Sequence, residues 1–445
     1  MYVIWDVASV STTLEGFEYM ADHILKVSEV FTPNDTPTVS YVERTGLNLE
    51  KNLEAYLALP KMVVSISGPS KSGKTVLIKK VLDDDSIIPV IGSGIKSPED
   101  LWNRTLRWME VPTSVETATA SGINVGLGAS GGGEAGIPFV AKGKVEAKTN
   151  IEKQTSTTTT ELQSEDGLTK VIKEISGSGF IIFVDDFHYI KEELREEIGR
   201  QIKVVADNGV KVVTASVPHR SDDVVRSNPE LRGRVAAVDL GYWEMNHLIS
   251  IGDKGFRALN CDLAPSLAKR LAEEAMGSPQ LMQTICYCLC QTLNISQTLP
   301  EHKRVEVSEA QIQSALKQTS FFTDFSKMLS SLHSGPRTRG QERKEHNFSD
   351  GSAGDVYRSV LLAIRADPIG MSFTYDNIMT RVKSVCTGDS PVGSSINSCL
   401  EQMSLISEEL QPGRPVLAWD GDNLDVTDPY FAFFLRSSDK IENLI

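Results

Sequence analysis

The chain has 445 residues, of which 40% are hydrophobic and 23% are charged, so it is long enough for two or three domains with buried cores. Its 59 acidic residues outnumber its 45 lysines and arginines, and this net charge of −14 argues against a protein whose main role is to coat a polyanion. No apolar run reaches the ~20 residues that a membrane-spanning helix needs, and the first residues lack the pattern of a secretory signal. The six cysteines are typical of reduced thiols, so we expect a cytoplasmic protein that works without a membrane.

Residues 1–37 predict a polar N-terminal extension, because short apolar runs alternate with acids and end in a turn-rich segment. Apolar spacing over residues 41–59 then predicts a helix. Four continuous β-branched runs follow, with helical patterns between them, and such runs are typical of strands buried on both faces of a parallel sheet. Residues 38–241 are thus predicted to form a layered α/β domain. The four predicted strands cover residues 62–67, 87–91, 180–184 and 210–217.

An insertion over residues 112–165 interrupts this alternation. Its composition is rich in Gly, Ser and Thr and cannot build a packed core of its own. Two runs in which small or apolar residues alternate with polar ones flank a Gly-rich turn, and this pattern predicts a long β-hairpin. The hairpin is interpreted either as a solvated arm or as an arm that docks on a neighbouring subunit or a partner by edge pairing. Membrane insertion is disfavoured, because the face that lipid would cover is mostly Ala and Gly.

After residue 241 the pattern becomes helical. Residues 242–334 predict a helical lid domain, and residues 335–353 predict a polar linker that carries several arginines and a lysine. Residues 354–445 predict three helices followed by a pair of strands, which is the pattern of a winged helix. The predicted lid helices cover residues 242–259, 264–276, 280–293 and 309–317, and the two strands cover residues 415–419 and 424–426.

A phosphate-binding loop is the strongest functional signal in the chain. Residues 68–75 match the pattern G-x-x-x-x-G-K-[ST] and stand between a predicted strand and an apolar helix, which is the context that this motif requires. The backbone N–H groups of such a loop point inward at phosphate oxygens, and the helix dipole favours the anion. The lysine reaches the phosphates, and the hydroxyl after it binds Mg²⁺. The predicted nucleotide-binding residues are Gly68, Pro69, Ser70, Lys71, Ser72, Gly73, Lys74 and Thr75.

An apolar strand that ends in two carboxylates supports this interpretation. Asp185 follows residues 180–184 directly, and a carboxylate at a strand end is placed to hold Mg²⁺ together with Thr75. Asp186 is then placed to orient or deprotonate the attacking water. Because Asp186 is shorter than the glutamate usual in fast hydrolases, we expect Mg-dependent ATP hydrolysis that is slow. The alternative is that the two acids only cap the helix that follows them.

These motifs and their order resemble those of the AAA+-related STAND and archaeal-type ATPases, and the resemblance covers about residues 38–440. It implies a P-loop NTPase of the α/β class, with a parallel sheet, a helical lid and a C-terminal winged-helix domain, and with the β-hairpin as an insertion in the ATPase domain. Gly-Ser-Pro at residues 277–279 and the run at residues 428–436 resemble motifs of this group. Gln280 stands where AAA+ proteins carry a second arginine for the γ-phosphate, and this departure favours the STAND-like side.

The resemblance also assigns roles to single residues. Arg44 belongs to the element that flanks the adenine in this group, and Ser216 or Thr214 is expected to face the γ-phosphate from a sensor strand. Arg232 or Arg234 takes the position of an arginine finger, which would reach the γ-phosphate of a neighbouring subunit. The alternative for both arginines is an ordinary pairing with surface acids.

Three functions remain open from the sequence. The first is an ATP- and Mg²⁺-dependent regulatory switch that assembles into a homo-oligomer on ATP binding, closes with ADP, and controls an effector or sensor protein in trans, in a setting such as prokaryotic antiphage defence. The second is a DNA-associated AAA+ ATPase, a loader or a transposition regulator. The third is a nucleotide-binding scaffold without useful hydrolysis.

The charge of the predicted winged helix disfavours DNA as a partner. Residues 354–445 contain seven lysines and arginines against thirteen acids, and residues 392–405, where a recognition helix would lie, contain no Lys or Arg. Phosphate contacts supply most of a protein's affinity for DNA, and arginine is the commonest reader of guanine. The segment is therefore predicted to be a lid that packs on the nucleotide domain.

Overall fold

In a computed structural model of the chain, the residues described are 24–111, 166–217, 231, 233–337 and 342–444. The predicted β-hairpin at residues 112–165, the predicted finger residue Arg232 and part of the predicted linker lie outside the described residues.

A five-stranded sheet forms the centre of the first part of the chain. Its order is β2-β3-β4-β1-β5, and all of its strand pairs are parallel, which confirms the predicted α/β class. β1 is buried along its whole length, because helices cover both faces of the sheet, and this explains its continuous apolar run. The strands are β1 (Val63–Ser67), β2 (Ile87–Ile91), β3 (Ile181–Asp185), β4 (Lys211–Ser216) and β5 (Val235–Asp239).

Helices pack on both faces of this sheet and give three layers. Leucines of α2 and α3 form one apolar core with the sheet, and apolar residues of α4, α5 and α6 form a second core on its other face. The helices of this part are α1 (Val27–Val30), α2 (Leu49–Ala58), α3 (Lys74–Val81), α4 (Pro98–Trp108), α5 (Gly167–Ile175) and α6 (Glu192–Asp207).

The helical segment, residues 245–334, follows the sheet. α9 is its central helix, and most of its residues are buried. The elements of the segment are α7 (Met245–Ala258), β6 (Cys261–Leu263), α8 (Pro265–Glu274), α9 (Pro279–Thr292), β7 (Lys303–Val305), α10 (Glu309–Ser320) and α11 (Ser326–Ser334).

The C-terminal segment, residues 346–444, contains a three-stranded antiparallel sheet of order β10-β12-β11 with helices against it. One continuous apolar core joins this segment to the helical segment, so the two pack as a single body. The elements are β8 (His346–Asn347), β9 (Ala353–Gly354), α12 (Val356–Arg365), β10 (Ser372–Thr374), α13 (Tyr375–Val385), α14 (Gly393–Leu410), β11 (Leu417–Trp419), β12 (Asn423–Val426) and α15 (Pro429–Ser437).

One predicted helix begins later than expected, and one strand of the central sheet was not predicted. The helix predicted over residues 41–59 begins only at Leu49, because Asn48 before it takes a left-handed conformation (φ +47°) that a helix cannot continue through. Strand β5 was not predicted, because two alanines weaken its apolar pattern, yet it pairs with β1 along its full length.

Among the described helices, none combines the length and the apolar character that crossing a membrane requires.

Candidate active site

The carboxyl ends of the parallel strands bring the predicted motifs together. The loop at residues 68–75 leaves the end of β1, Asp185 is the last residue of β3, and Ser216 is the last residue of β4. Ser67 and Ser216 lie opposite each other in the register of β1 and β4. Since carboxyl ends of parallel strands meet at one edge of a sheet, residues far apart in sequence become neighbours there.

Two glycines allow the P-loop, residues 68–75, to take its shape. A side chain on Gly68 would bring its Cβ to 2.7 Å from Ser72 Oγ and 2.9 Å from Leu240 Cβ, so the loop packs this closely against Leu240 only with glycine there. Gly73 (φ +95°) and Lys71 (φ +65°) are left-handed. Left-handed residues in such a loop turn neighbouring N–H groups towards one point, which suits an anion.

Lys74 is the buried cation of the loop. Its Nζ donates hydrogen bonds to the carbonyl oxygens of Gly68, at 2.8 Å, and Pro69, at 2.9 Å. Burial lowers the pKa of Lys74 to about 8, while Asp185 and Asp186 oppose this change by favouring the ammonium form. The ammonium group is therefore held in place by the loop and has acidic neighbours on one side.

Thr75 and Asp185 supply two oxygens at one point of the site. Thr75 Oγ1 donates a hydrogen bond to Asp185 Oδ2 over 3.1 Å, although the residues are 110 positions apart. The other carboxylate oxygen of Asp185 accepts the backbone N–H of Asp186 at 2.8 Å. A hydroxyl next to a carboxylate is the oxygen set that Mg²⁺ uses beside phosphates, so these residues fit that ion.

Asp186 is the second acid of the pair and has a partner from the C-terminal segment. Its Oδ2 accepts a hydrogen bond of 2.7 Å from Arg414 Nη2, and the two groups form an ion pair. Burial and the charge of Asp185 raise the pKa of the Asp186 carboxyl, and Arg414, Lys74 and Lys71 act against this. The side chains are 32% and 55% exposed, and pairs this exposed stabilise by up to about 1 kcal/mol. Another anion can therefore displace the pair at little cost.

A cavity of about 470 Å³ connects these groups to a second region. One set of lining residues is residues 70–75 together with Asp185, Asp186 and Tyr189, which we call the phosphate end after the P-loop. Another set is residues 32–37 and part of the helical segment, which we call the second end. The volume is in the range of small-molecule sites. Amides line the second end: Gln280 Nε2 donates to Asn34 Oδ1 at 3.1 Å.

Trp243 connects the P-loop to Arg44, and both Trp243 and Arg44 line the cavity. Its indole N–H donates to the carbonyl oxygen of Ser72 at 2.9 Å, and its ring lies 4.8 Å below the guanidinium of Arg44. Arg44 also donates to the carbonyl oxygen of Leu240 and is 3% exposed. The predicted residue Arg44 therefore lies on the cavity wall with its charge already engaged, and no sequence signal pointed to Trp243.

The predicted sensor residue Ser216 is buried next to the P-loop. Its backbone carbonyl accepts the N–H of Gly68 at 3.2 Å, and among the described residues its hydroxyl has no hydrogen-bond partner. The neighbouring Val217 lines the cavity. The Thr214 hydroxyl is likewise buried without a described partner, so the γ-phosphate roles of both residues stay predictions.

Arg234 lies away from these groups. It precedes β5, and its carbonyl accepts the N–H of Val63 at 2.9 Å. Val63 is the first residue of β1, whereas the P-loop follows the last residue of β1. At ~3.3 Å per strand residue, about 16 Å separate the two edges of the sheet. Its guanidinium pairs with Asp207. Arg234 therefore does not reach the cavity of its own chain.

No family model matches the chain, and no curated protein does. A Walker-type ATPase of Pyrococcus abyssi is 15% identical over 89% of this chain and 99% of that chain, with a TM-score of 0.46. The ORC2 protein of Aeropyrum pernix, in ADPNP–ADP complexes, is 12% identical over 95% and 98%, with a TM-score of 0.48. Cdc6p of Pyrobaculum aerophilum is 13% identical over 95% and 100%, with a TM-score of 0.41. Similarities this low carry no information on activity or partners, which must come from the residues of the site.

Proposed function

We propose that the protein binds ATP with Mg²⁺ in this cavity, hydrolyses it slowly, and acts as a regulatory switch of the STAND and AAA+ type. The observation that carries the proposal is the convergence of Lys74, Thr75, Asp185 and Asp186 on one cavity whose lining also includes amides and a tryptophan. This arrangement pairs a site for anionic phosphates with a site for a planar base.

Each group has a task in hydrolysis. The P-loop N–H groups and Lys74 bind and orient the phosphates, and Thr75 and Asp185 would hold Mg²⁺, which neutralises phosphate charge when bound. Asp186 accepts the proton of the attacking water or orients it. Because Asp186 is shorter than the glutamate usual in fast hydrolases, we expect hydrolysis to be slow.

The switch would use the body formed by the helical and C-terminal segments. Lys71 of the P-loop lies 5.5 Å from the ring centre of Tyr430, and Tyr430 shares a hydrogen bond of 2.9 Å with Thr284 of α9. The C-terminal segment thus contacts the P-loop directly, and the helical segment contacts it through Tyr430. We propose that ATP rearranges these contacts and permits assembly, that ADP leaves the chain closed, and that an effector or sensor acts in trans. The setting we propose, prokaryotic antiphage defence, rests on the sequence resemblance alone.

Assembly gives Arg234 a role that it cannot have in a single chain. We expect Arg234→Ala to bind ATP normally but to hydrolyse it poorly, because a neighbour's arginine would stabilise the transition state. Mixing it in equal amounts with Asp186→Asn should restore turnover at about a quarter of the interfaces, those that receive an intact acid and an intact arginine. Steady-state phosphate release at several mixing ratios measures this.

Asp207→Asn is the matched control, because it breaks the same ion pair and keeps the arginine. It should retain turnover. An absence of recovery at every mixing ratio would mean that Arg234 is only a surface partner of Asp207.

The pKa of Lys74 predicts a pH dependence of nucleotide binding. In the free protein Lys74 loses its proton near pH 8, whereas bound phosphate favours the charged form. The dissociation constant should therefore rise by about tenfold per pH unit above pH 8, with proton uptake on binding, because phosphate is fully ionised in this range. Calorimetric titrations between pH 7 and pH 9.5 in buffers of different ionisation enthalpy would detect both. A constant affinity over this range would contradict the assignment of Lys74.

The described residues add no support for the alternative, a DNA-associated ATPase. In the predicted basic linker, Arg343 pairs with Asp355 at 2.8 Å, and Lys344 lies 3.3 Å from Asp389. These cations are therefore partly neutralised by the chain itself. Helix α14, which covers the position of a recognition helix, carries no Lys or Arg.

A further inference from the structure

One loop of the C-terminal segment, residues 411–416 between α14 and β11, contacts the phosphate end of the cavity. Arg414 of this loop reaches across to Asp186, with its guanidinium 4.2 Å from the ring centre of Tyr189. Tyr189 and Asp186 both line the cavity. Arg414 therefore stands one carboxylate away from the place where the terminal phosphate of a nucleotide would lie.

The loop is shaped to present this side chain. Gly413 is left-handed (φ +77°), and a Cβ on it would lie 3.0 Å from Cδ1 of Tyr189, so the backbone packs directly on the ring. The N–H of Gly413 donates to Glu408 Oε1 at 2.8 Å, and the N–H of Arg414 donates to the carbonyl of Gln411 at 2.9 Å. These bonds fix the loop to the end of α14, so Arg414 moves with the C-terminal segment.

The cations that face Asp186 come from the P-loop and from Arg414. In the part of the chain that the structure describes, α9 offers no cation there, because its sequence contains no basic residue. Lys74 and Lys71 face Asp186 from the P-loop, and Arg414 faces it from the other segment. A γ-phosphate adds up to about two negative charges, and a guanidinium binds phosphate oxygens in bidentate fashion.

We infer that Arg414 is the residue with which the C-terminal segment senses the γ-phosphate of ATP. Without a γ-phosphate it pairs with Asp186, as in the structure. With ATP bound it contacts the γ-phosphate oxygens, and the exposed, weakly held pair with Asp186 gives way. The inference rests on the proposed function, because it requires a nucleotide in the P-loop. It assigns the discrimination between ATP and ADP to a residue outside the nucleotide motifs.

The position of the C-terminal segment then depends on which nucleotide is bound. ADP lacks the group that Arg414 would contact, so Arg414 should contribute little to ADP affinity. ATP can make this contact with Arg414. Because the contact forms in only one arrangement of the C-terminal segment, bound ATP shifts the segment towards that arrangement. A switch of this kind needs a residue that contributes more to the affinity of the protein for one nucleotide than for the other.

Nucleotide affinities of Arg414 variants test the inference. With Mg²⁺ present, the dissociation constants of ADP and of a non-hydrolysable ATP analogue are measured by calorimetry on the full chain. Arg414→Ala should raise the dissociation constant of the analogue by roughly tenfold or more, which is the loss expected for a hydrogen-bonded charge. It should change the dissociation constant of ADP by less than about twofold. Arg414→Lys should recover part of the affinity for the analogue. Lys383→Ala, an exposed cation on α13, makes the same change in net charge and should leave both constants unaltered.

The possible results separate the inference from the proposed function. An equal effect of Arg414→Ala on both nucleotides, or no effect on either, overturns the sensing role. Faster hydrolysis with unchanged affinities also overturns it and assigns Arg414 only to restraining Asp186. Failure of the unsubstituted protein to bind either nucleotide refutes the proposed function and the inference with it. The thermal unfolding of each variant checks its fold, and Arg414→Lys keeps the test decisive if the alanine variant unfolds.

Discussion

Lys74→Met is expected to weaken the binding of both ATP and ADP by more than about a hundredfold. The substitution removes the cation that the P-loop holds within reach of the phosphates, and each hydrogen bond to a charged group contributes about 1.5–3 kcal/mol. Two or more such bonds correspond to a hundredfold or larger change in affinity. Methionine keeps most of the buried volume of Lys74, so the fold should remain intact. Equilibrium titration with a fluorescent nucleotide measures the loss.

Lys51→Met is the control for this experiment, since Lys51 is exposed on α2 and is not one of the residues that line the cavity. It removes the same charge and should bind nucleotide normally. Unchanged affinity in Lys74→Met, with a normal unfolding transition, would show that the cavity does not bind nucleotide through its P-loop.

Asp186→Asn is expected to keep ATP bound and to reduce its hydrolysis by about 10²- to 10⁴-fold, the usual contribution of a general base. Asparagine has the size of aspartate but cannot accept the proton of the attacking water. Asp185→Asn should instead weaken Mg²⁺-dependent binding, because it removes the charge next to the Thr75 hydroxyl. The two variants are thus expected to differ, because Asp186→Asn loses turnover and Asp185→Asn loses affinity.

Single-turnover hydrolysis and binding titrations at several Mg²⁺ concentrations separate these phenotypes. If both variants hydrolyse ATP at the rate of the unsubstituted protein, the acids only stabilise the turn after β3. If both lose affinity equally, the division of labour between Asp185 and Asp186 is wrong.

The parts of the fold that could be predicted are those with a local pattern. β2 was predicted at its exact bounds, and β1 and β3 within one residue at either end, because strands buried on both faces read as continuous apolar runs. The P-loop was recognisable because the geometry of phosphate binding requires glycines at fixed spacing. The paired acids were recognisable because they end an apolar strand.

The remainder depends on contacts between distant residues. Arg414 is 228 positions from Asp186, and nothing in the sequence around it distinguishes it from other surface arginines. Trp243 donates to the P-loop carbonyl of Ser72, which is 171 positions away. A contact over this distance likewise leaves no local signal in the sequence. The turn at Asn48, which shortens α2, depends on one left-handed residue that the apolar spacing does not reveal.

The central claim, that ATP and Mg²⁺ bind between the P-loop and the end of β3, is tested most directly by a crystal structure with a non-hydrolysable ATP analogue and Mn²⁺, whose anomalous signal locates the ion. The account predicts Mn²⁺ in contact with Thr75 Oγ1 and beside Asp185, and Lys74 Nζ on phosphate oxygens of the analogue. Nucleotide density elsewhere, or an ion that contacts neither Thr75 nor Asp185 directly or through water, would contradict it.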